Sequence, residues 1–545
     1  MSAGQYLIAL LIVFISGIAL PQNVEWVARY DGGSSLLDHA EAMVIDADGN
    51  VYVTGWTHDS VCLYDYATVK YSSLGDIVWV ATYDGVAVSP DEADEALGIA
   101  VDDSGNVCVT GRSRGASRRH DYLTIKYNSS GDSLWTQRYD GSSHDDDEAH
   151  AIAVDDRGCV YVTGMVEDTS GMLNYATIKY GASGDTVWVV RYDGPAGFSD
   201  YANAIALDSA GNVYVTGPSS GSGTGHDYLT IKYDSLGDTV WTARYDGPAN
   251  DMDEAVDIVI DDSENVYVTG WSRGTLGNWN YATIKYDPSG DSVWVARYKG
   301  PGSDDQAEAI AIDDLGNVYV TGCSEDSMGV DDFLTIKYSP VGDILWTARY
   351  DGPEGEWDHA VDIAVDDSGN VYVTGDSDGW RSHNDYATIK YDSEGNEKWV
   401  ARYEGTARSM DTPSAIAVDA SGFVYVTGES YGAGTGPDFL TIKYSSSTGI
   451  EEKPGPEVRE YVSLNIYPNP FRQDAVIRCS CPSQSHISLR LYDMAGRFAA
   501  HVSEGEVTAG YHSFKIHSGD LPQGVYFVYL STGRSELVRK VVLLN

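Results

Sequence analysis

An aspartate recurs 17 residues ahead of each glycine that ends a Val-Tyr-Val-Thr-Gly phrase (Cys for Tyr in one copy). The positions are Asp38, Asp94, Asp147, Asp200, Asp253, Asp305, Asp358 and Asp411. A carboxylate repeated at one place suits capture of a hard cation, with Ca2+ the natural guest for oxygen ligands. The same side chain also caps backbone N–H groups where a strand begins, and its recurrence in every unit weighs toward that role. Tryptophan is the second candidate. Of 13, eight belong to a repeated W-x-x-R/T-Y phrase, leaving Trp56, Trp271, Trp279, Trp357 and Trp380 between phrases. An indole ring stacks on a sugar or peptide while its N–H donates, although a large aromatic more often buries itself against its own loop.

Catalytic signatures are weaker. G-x-S-x-G occurs at 111–115, 217–221, 270–274, 375–379 and 428–432. Five copies at one relative position, with no helix following, are loop chemistry and not a nucleophile elbow. No H-E-x-x-H, phosphate loop or dinucleotide fingerprint is present. Asp46-Ala47-Asp48-Gly49-Asn50 has part of a calcium loop's pattern but no distal Glu, and it occupies a hairpin turn. No catalytic residue is assigned, and an enzyme, as a polysaccharide lyase or hydrolase, ranks third among the functional readings.

These residues sit on a repeat. The marker glycines are Gly55, Gly111, Gly164, Gly217, Gly270, Gly322, Gly375 and Gly428, 52 to 56 residues apart. T-I/V-K-Y, W-x-x-R/T-Y and a phrase typified by AIAVD recur at the same period. Each phrase is short, rich in Val, Ile, Thr, Tyr or Trp, and bounded by Gly, Asp and Ser, which predicts strands. Four antiparallel strands repeated eight times predict an all-β fold, an eight-bladed β-propeller. The chain begins with an orphan W-x-x-R-Y at Trp26–Tyr30 and lacks that phrase after Tyr444. Pairing the two ends completes the last blade and removes two open edges.

AIAVD, with its small side chains, fits the crowded inner strand, and W-x-x-R-Y fits the outer one. The tight turns then share one face, and the irregular loops share the other. The five extra tryptophans are expected in those loops, and the eight aspartates around one channel mouth. A rigid scaffold with variable loops on one side is how binding surfaces are built.

The chain has 545 residues, with 82 Asp+Glu against 35 Lys+Arg and a net charge of −47. Such acidity excludes nucleic acid as an expected partner and disfavours anionic membranes. About half the acidity of the repeat region comes from positions repeated unit by unit, the signature of turns and caps. Residues 7–20 (LIALLIVFISGIAL) are short for a membrane span and suit a signal-peptide core, with Gly17-Ile18-Ala19 as a cleavage site. The preceding MSAGQY carries no Lys or Arg, and a buried strand or anchor is the alternative. No later segment is long and apolar enough to span a bilayer, so no transmembrane segment is expected in the mature chain. The six cysteines match neither a disulfide framework nor a zinc site. The expected division is signal peptide 1–20, propeller 21–444, polar linker 445–460 and C-terminal domain 461–545.

Stretches such as AIALDSAGNVYVTG (204–217) and DYLTIKY (227–233) resemble the SBBP β-propeller repeat, a scaffold whose name denotes seven blades where this chain predicts eight. The last segment reads as several short strands, a small Ig-like β-sandwich. It resembles the type A C-terminal sorting domain of the type IX secretion system. The carrying residues are Tyr467-Pro468-Asn469-Pro470-Phe471, LYDMAGR (491–497), LPQGVYFVYL (521–530) and the basic-apolar end 539–544. That resemblance implies passage to the periplasm, then export by outer-membrane secretion machinery, often with removal of this domain. The expectation is a secreted or cell-surface scaffold for adhesion or binding of a polysaccharide or protein. A structural surface protein without a specific ligand is the alternative.

Overall fold

The computed structural model describes residues 24–445 apart from 33–35, 59–63, 86–92, 116–118, 354, 380–382, 406–408 and 433–435. It also describes 463–544 apart from 468–473, 482–484, 495–496, 508–509, 518, 520 and 533–535. The chain divides into two compact units, residues 1–449 and 450–545.

The described residues of the first unit form eight four-stranded antiparallel sheets. The first sheet runs Asp38–Ile45, Val51–Thr57, Asp65–Tyr71 and Ile77–Tyr83, in chain order. The eighth holds Asp411–Val418, Val424–Tyr431 and Pro437–Tyr444, and its fourth strand is Val24–Tyr30 from the start of the chain. Ala28 pairs with Thr441 and Tyr30 with Phe439. First strands of successive sheets touch one another, and the first strand of the first sheet touches that of the eighth.

Burial follows strand position. In the first sheet every residue of the second and third strands except Trp56 is buried, on both faces. A strand apolar on both sides must be covered on both sides, and the neighbouring sheets do this. Tyr66, Tyr122, Tyr175, Tyr228 and Tyr281 are fully buried and each donates its hydroxyl to a carbonyl of the next sheet at 3.1–3.4 Å. Within a sheet, paired threonines of the second and third strands hydrogen-bond, as Thr54 does with Thr68 at 3.0 Å.

The fourth-strand tryptophans fasten each sheet to the next. Trp79 Nε1 donates to the Ser129 carbonyl at 3.1 Å, and its ring lies so close to Gly131 that an added Cβ would stand 2.8 Å from it. Gly131 has φ 87°, a conformation that glycine adopts without penalty. The same indole donation recurs from Trp135, Trp188, Trp241, Trp294 and Trp346. Trp26 makes it to Ser73, from the eighth sheet to the first. Trp399 is the exception. The residue that corresponds to its acceptor, 446, lies outside the described residues. Among the described residues its buried Nε1 has no acceptor.

Each turn after a first strand is tied by an aspartate. Asp46 accepts the backbone N–H groups of Asp48 and Asn50 at 3.0 and 2.9 Å, and the Tyr52 hydroxyl at 2.8 Å. In the second sheet Cys108 replaces that tyrosine. Lys126, whose counterparts lie over the tyrosine ring at about 4.8 Å, pairs there with Asp102 at 2.9 Å.

The second unit has a three-stranded sheet, Ser463–Tyr467, Asp474–Cys481 and Gly510–His517. Its four-stranded sheet is Phe498–Val507, Ser485–Asp493, Gly524–Ser531 and Glu536–Leu543. Ile477, Leu489, Leu491, Val528, Leu530 and Val541 are fully buried in its core. Phe498–Val507 (FAAHVSEGEV) escapes a pattern search because Glu, Gly, His and Ala dilute its strand signal.

The tryptophan fastening yields a paired prediction. Trp26→Phe keeps a ring but loses the donor, and should lower stability by about 0.5–1.5 kcal/mol. Trp399→Phe should be neutral or stabilising, because it removes an unsatisfied buried donor. Denaturant unfolding of both variants checks the contrast.

Candidate functional site

The marker glycine positions the site. In seven of the eight sheets the first strand carries a β-bulge, for example between Ala40 and Ala42 in the ladder with the second strand. In the fourth sheet residues 200–203 precede the strand Ala204–Leu207 and reach the second strand through an isolated Asp200–Ser219 bridge. The bulge thrusts the carbonyl of the strand's second residue against the glycine. A Cβ on Gly55 would lie 1.9 Å from the His39 oxygen, and in all eight sheets this distance is 1.9–2.2 Å. No other residue fits. The bulge directs the second and fourth residues of each first strand, flanking a buried alanine or its equivalent, to side chains of adjoining sheets. At those two positions the eight units disagree.

The result is a belt of ionisable groups at one end of the first strands. His39 is 2.9 Å from both Glu41 and Glu429. Burial works against its charged ring, but the two carboxylates outweigh it and drive His39 up to about 10. Arg112 bridges Glu95 at 2.6 Å and Glu148 at 2.8 Å. Burial, then the nearby Glu308 carboxylate, pushes Glu254 up to about 7. His359 lies 3.7 Å from Glu308 and 4.0 Å from Asp376. Burial again opposes its charge, while Cys323 and Glu308 raise it to about 11. Deeper along the first strands, Asp257 accepts the Ile310 N–H at 3.0 Å and Asp362 the Ile416 N–H at 2.7 Å, each from the next sheet. Burial raises Asp257 to about 6 and, with Asp257 repelling it, Asp362 to about 7.

Two aromatic stations adjoin the belt. Trp56 pairs with His39 in the ladder and stacks on its imidazole at 5.3 Å and 10°, with Tyr64 edge-on at 4.3 Å. Trp271 pairs with Glu254 and meets Trp279 edge-on at 4.5 Å, and the Arg273 guanidinium covers Trp279 at 4.8 Å. These three tryptophans lie in strands, not in the loops expected from the sequence, because the central strands run beyond the marker glycine. Trp357 precedes the strand Asp358–Val365 and is 59% exposed. Trp380 lies outside the described residues. Asp257, Asp362 and Glu254 were missed as site residues because they sit inside or beside a phrase valued for its regularity. The disagreement among units at these positions was the available signal.

The recurring aspartates are at most 3% exposed, so they do not form an open ring at a channel mouth. Each faces its own loop and takes a backbone N–H from a preceding glycine. Gly32 donates to Asp38 and Gly85 to Asp94, both at 2.8 Å, and Gly194 to Asp200 at 2.6 Å. Most accept a second N–H from the end of the second strand, as Asp200 does from Ser220 at 2.8 Å. At five junctions between sheets this aspartate meets two more, one from the third strand and one following the fourth. The clusters are Asp31/Asp38/Asp438, Asp65/Asp84/Asp94, Asp121/Asp140/Asp147, Asp227/Asp246/Asp253 and Asp332/Asp351/Asp358, each with one carboxylate oxygen per residue mutually within 4.8 Å. Fourth-strand arginines reach the third-strand members: Arg138 contacts Asp121 and Arg244 contacts Asp227, both at 3.0 Å. Of the sorting motif, Tyr467 ends the strand Ser463–Tyr467, and Pro468, Asn469, Pro470 and Phe471 lie outside the described residues.

Comparison with known proteins places two families on the chain. The beta-propeller repeat family SBBP matches residues 191–223, 293–324, 359–379 and 398–434, and the secretion system C-terminal sorting domain matches 465–544. The chain therefore carries SBBP propeller repeats and a type IX sorting tail, which assigns it to the secreted or outer cell-surface proteins. A WD repeat-containing protein of Acanthamoeba polyphaga mimivirus is 24% identical over 453 residues, 67% of this chain and 31% of that one, so the chain spans about a third of this relative. Among solved structures, a eukaryotic initiation factor aligns at 7% identity and TM-score 0.39, covering 87% of this chain and 90% of its own. A fungal alcohol oxidase of the AA5 family, in complex with copper, aligns at 15% and 0.38, covering 82% and 96%. The WD40 domain of SCAP from fission yeast aligns at 9% and 0.37, covering 75% and 95%.

The belt imposes a pH dependence. Glu254, Asp257 and Asp362 hold their protons more tightly folded than unfolded. Their contribution is fully present below about pH 4 and is lost as pH rises through 6–7, on the order of 3–4 kcal/mol each. Melting in chelator should therefore fall between pH 5 and pH 8, and the double variant Asp257→Asn/Asp362→Asn should flatten that slope. Calorimetry at the two pH values measures both.

Proposed function

We propose that this chain is an eight-bladed β-propeller, closed by its N-terminal strand, that is exported to the cell surface or medium and binds polysaccharide at the belt. The division is signal peptide 1–20, propeller 21–444, linker 445–460 and an Ig-like sorting domain 461–545 that engages the outer-membrane secretion machinery. One observation carries the binding reading: the Trp56–His39 and Trp271–Trp279 stations stand beside a belt of carboxylates. Aromatic faces take the apolar side of a sugar ring, and carboxylates accept from its hydroxyls. The stations belong to the first and fifth sheets, which lie opposite one another in a ring of eight and suit an extended chain more than a single sugar. Trp357 adds an exposed ring. A protein ligand is the alternative occupant of the same surface.

A purely structural role has its own support. Fourth strands expose apolar residues in several sheets, among them Val78, Val187, Val240, Val293 and Leu345, a surface suited to lateral assembly.

Two experiments test the proposal. A glycan array with the secreted chain should give polysaccharide binding that Trp271→Ala weakens at least tenfold without lowering the melting temperature. Self-assembly with no glycan retained would favour the structural role. Deleting 461–545 should leave the propeller in the periplasm, as fractionation of the producing cells would show; its appearance in the medium would remove the sorting role.

A further inference from the structure

The five aspartate clusters coincide with a rule in the sequence. A cluster forms only where all three contributing positions are Asp. Where it fails, one position is Asn174, or Asn280 together with Lys299, or the longer Glu404. Three carboxylates gathered within 4.8 Å repel one another, and backbone capping needs only the first-strand member. The member that follows the fourth strand is exposed in every cluster, so burial did not force it there.

A second observation points to a ligand. Asp121 and Asp227 are 2% and 1% exposed, and each gives Oδ2 to an arginine while Oδ1 is buried without a hydrogen-bond partner. In its cluster the first-strand member Asp358 accepts the Gly352 N–H at Oδ2 and likewise has a buried Oδ1 without a partner. The two oxygens of a carboxylate are neighbours, so the orphan oxygen borders the space the three residues share. A buried, unsatisfied, ionised oxygen is costly. In the four clusters whose third-strand member meets a fourth-strand arginine, three carboxylates less one guanidinium leave two negative charges, which a divalent cation balances. In the Asp65/Asp84/Asp94 cluster Thr82 stands at the arginine's position.

We propose that each cluster binds one calcium-type cation, which joins a third strand and the segment after a fourth strand to the first strand of the next sheet. The Asp31/Asp38/Asp438 site lies where the two ends of the chain meet and fastens the eighth sheet to the first. Hard oxygen ligands of mixed burial suit Ca2+ better than Mg2+, which demands a near-ideal octahedron and keeps its waters. Three protein carboxylates with water completing the shell correspond to extracellular modules, with Kd about 10⁻⁴ to 10⁻³ M. At about ten times Kd each filled site multiplies the folded-to-unfolded ratio roughly tenfold.

The test uses the full chain, freed of metal by chelator and titrated with CaCl2. Calorimetric titration should saturate near five ions, and the melting temperature should rise by several degrees. Asp140→Asn should lower the stoichiometry by one. The fivefold variant D31N/D84N/D140N/D246N/D351N removes only exposed members. It should melt no lower than the chelated parent, because repulsion is relieved, and should lose the calcium shift. Absence of binding up to about 10 mM Ca2+ would overturn the proposal, as would a calcium shift that persists in the fivefold variant. An equal response to MgCl2 would overturn the calcium assignment.

Discussion

A four-stranded sheet whose two central strands are apolar on both faces cannot stand alone. It must be covered twice, and here the cover on each side is another copy of itself. Everything else in the first unit follows from that demand. Small residues occupy the first strands because those strands crowd together, and the fourth strands are the most exposed because nothing packs outside them. The end sheets would each leave one face bare were it not that the first touches the eighth and the strand Val24–Tyr30 completes it.

The contacts between sheets divide the labour by depth. Buried tyrosine hydroxyls reach carbonyls of the next sheet near the centre, and tryptophan indoles do so at the rim. Each bond contributes about 1 kcal/mol, so specificity comes from repetition and not from any one contact. Trp399 is the exception, its buried Nε1 having no acceptor among the described residues. The arginines of the fourth strands reach back to buried aspartates of the third. Losing one would leave a buried carboxylate without its cation, at a cost of about 3–5 kcal/mol.

Function uses what the scaffold leaves over. A marker glycine is obligatory because a bulged carbonyl fills the place of its side chain, and the bulge turns two side chains per unit toward neighbouring sheets. Those positions are free to vary, and they hold His39, Glu95, Glu254, Glu308 and His359. The aromatic stations sit immediately alongside. Repetition thus builds the platform, and departures from repetition write the chemistry on it.

The period, the strand order, the inward and outward strands and the gap at the chain's end were legible in the sequence, because each arises from local patterning of apolar residues and turns. The aspartate of every first strand was legible too, together with its capping alternative. What the sequence could not disclose was which residues from different units meet. The aspartates after the fourth strands and before the third strands look like ordinary turn residues when read along the chain. Only packing one sheet against the next brings them within 4.8 Å of a third carboxylate. Trp271 and Trp279 likewise looked like loop residues until strand lengths placed them in the ladder beside Glu254. Local periodicity determined the elements, because a strand needs only its own alternation and its turns. The tertiary structure decided the site, because proximity between units depends on how the sheets stack.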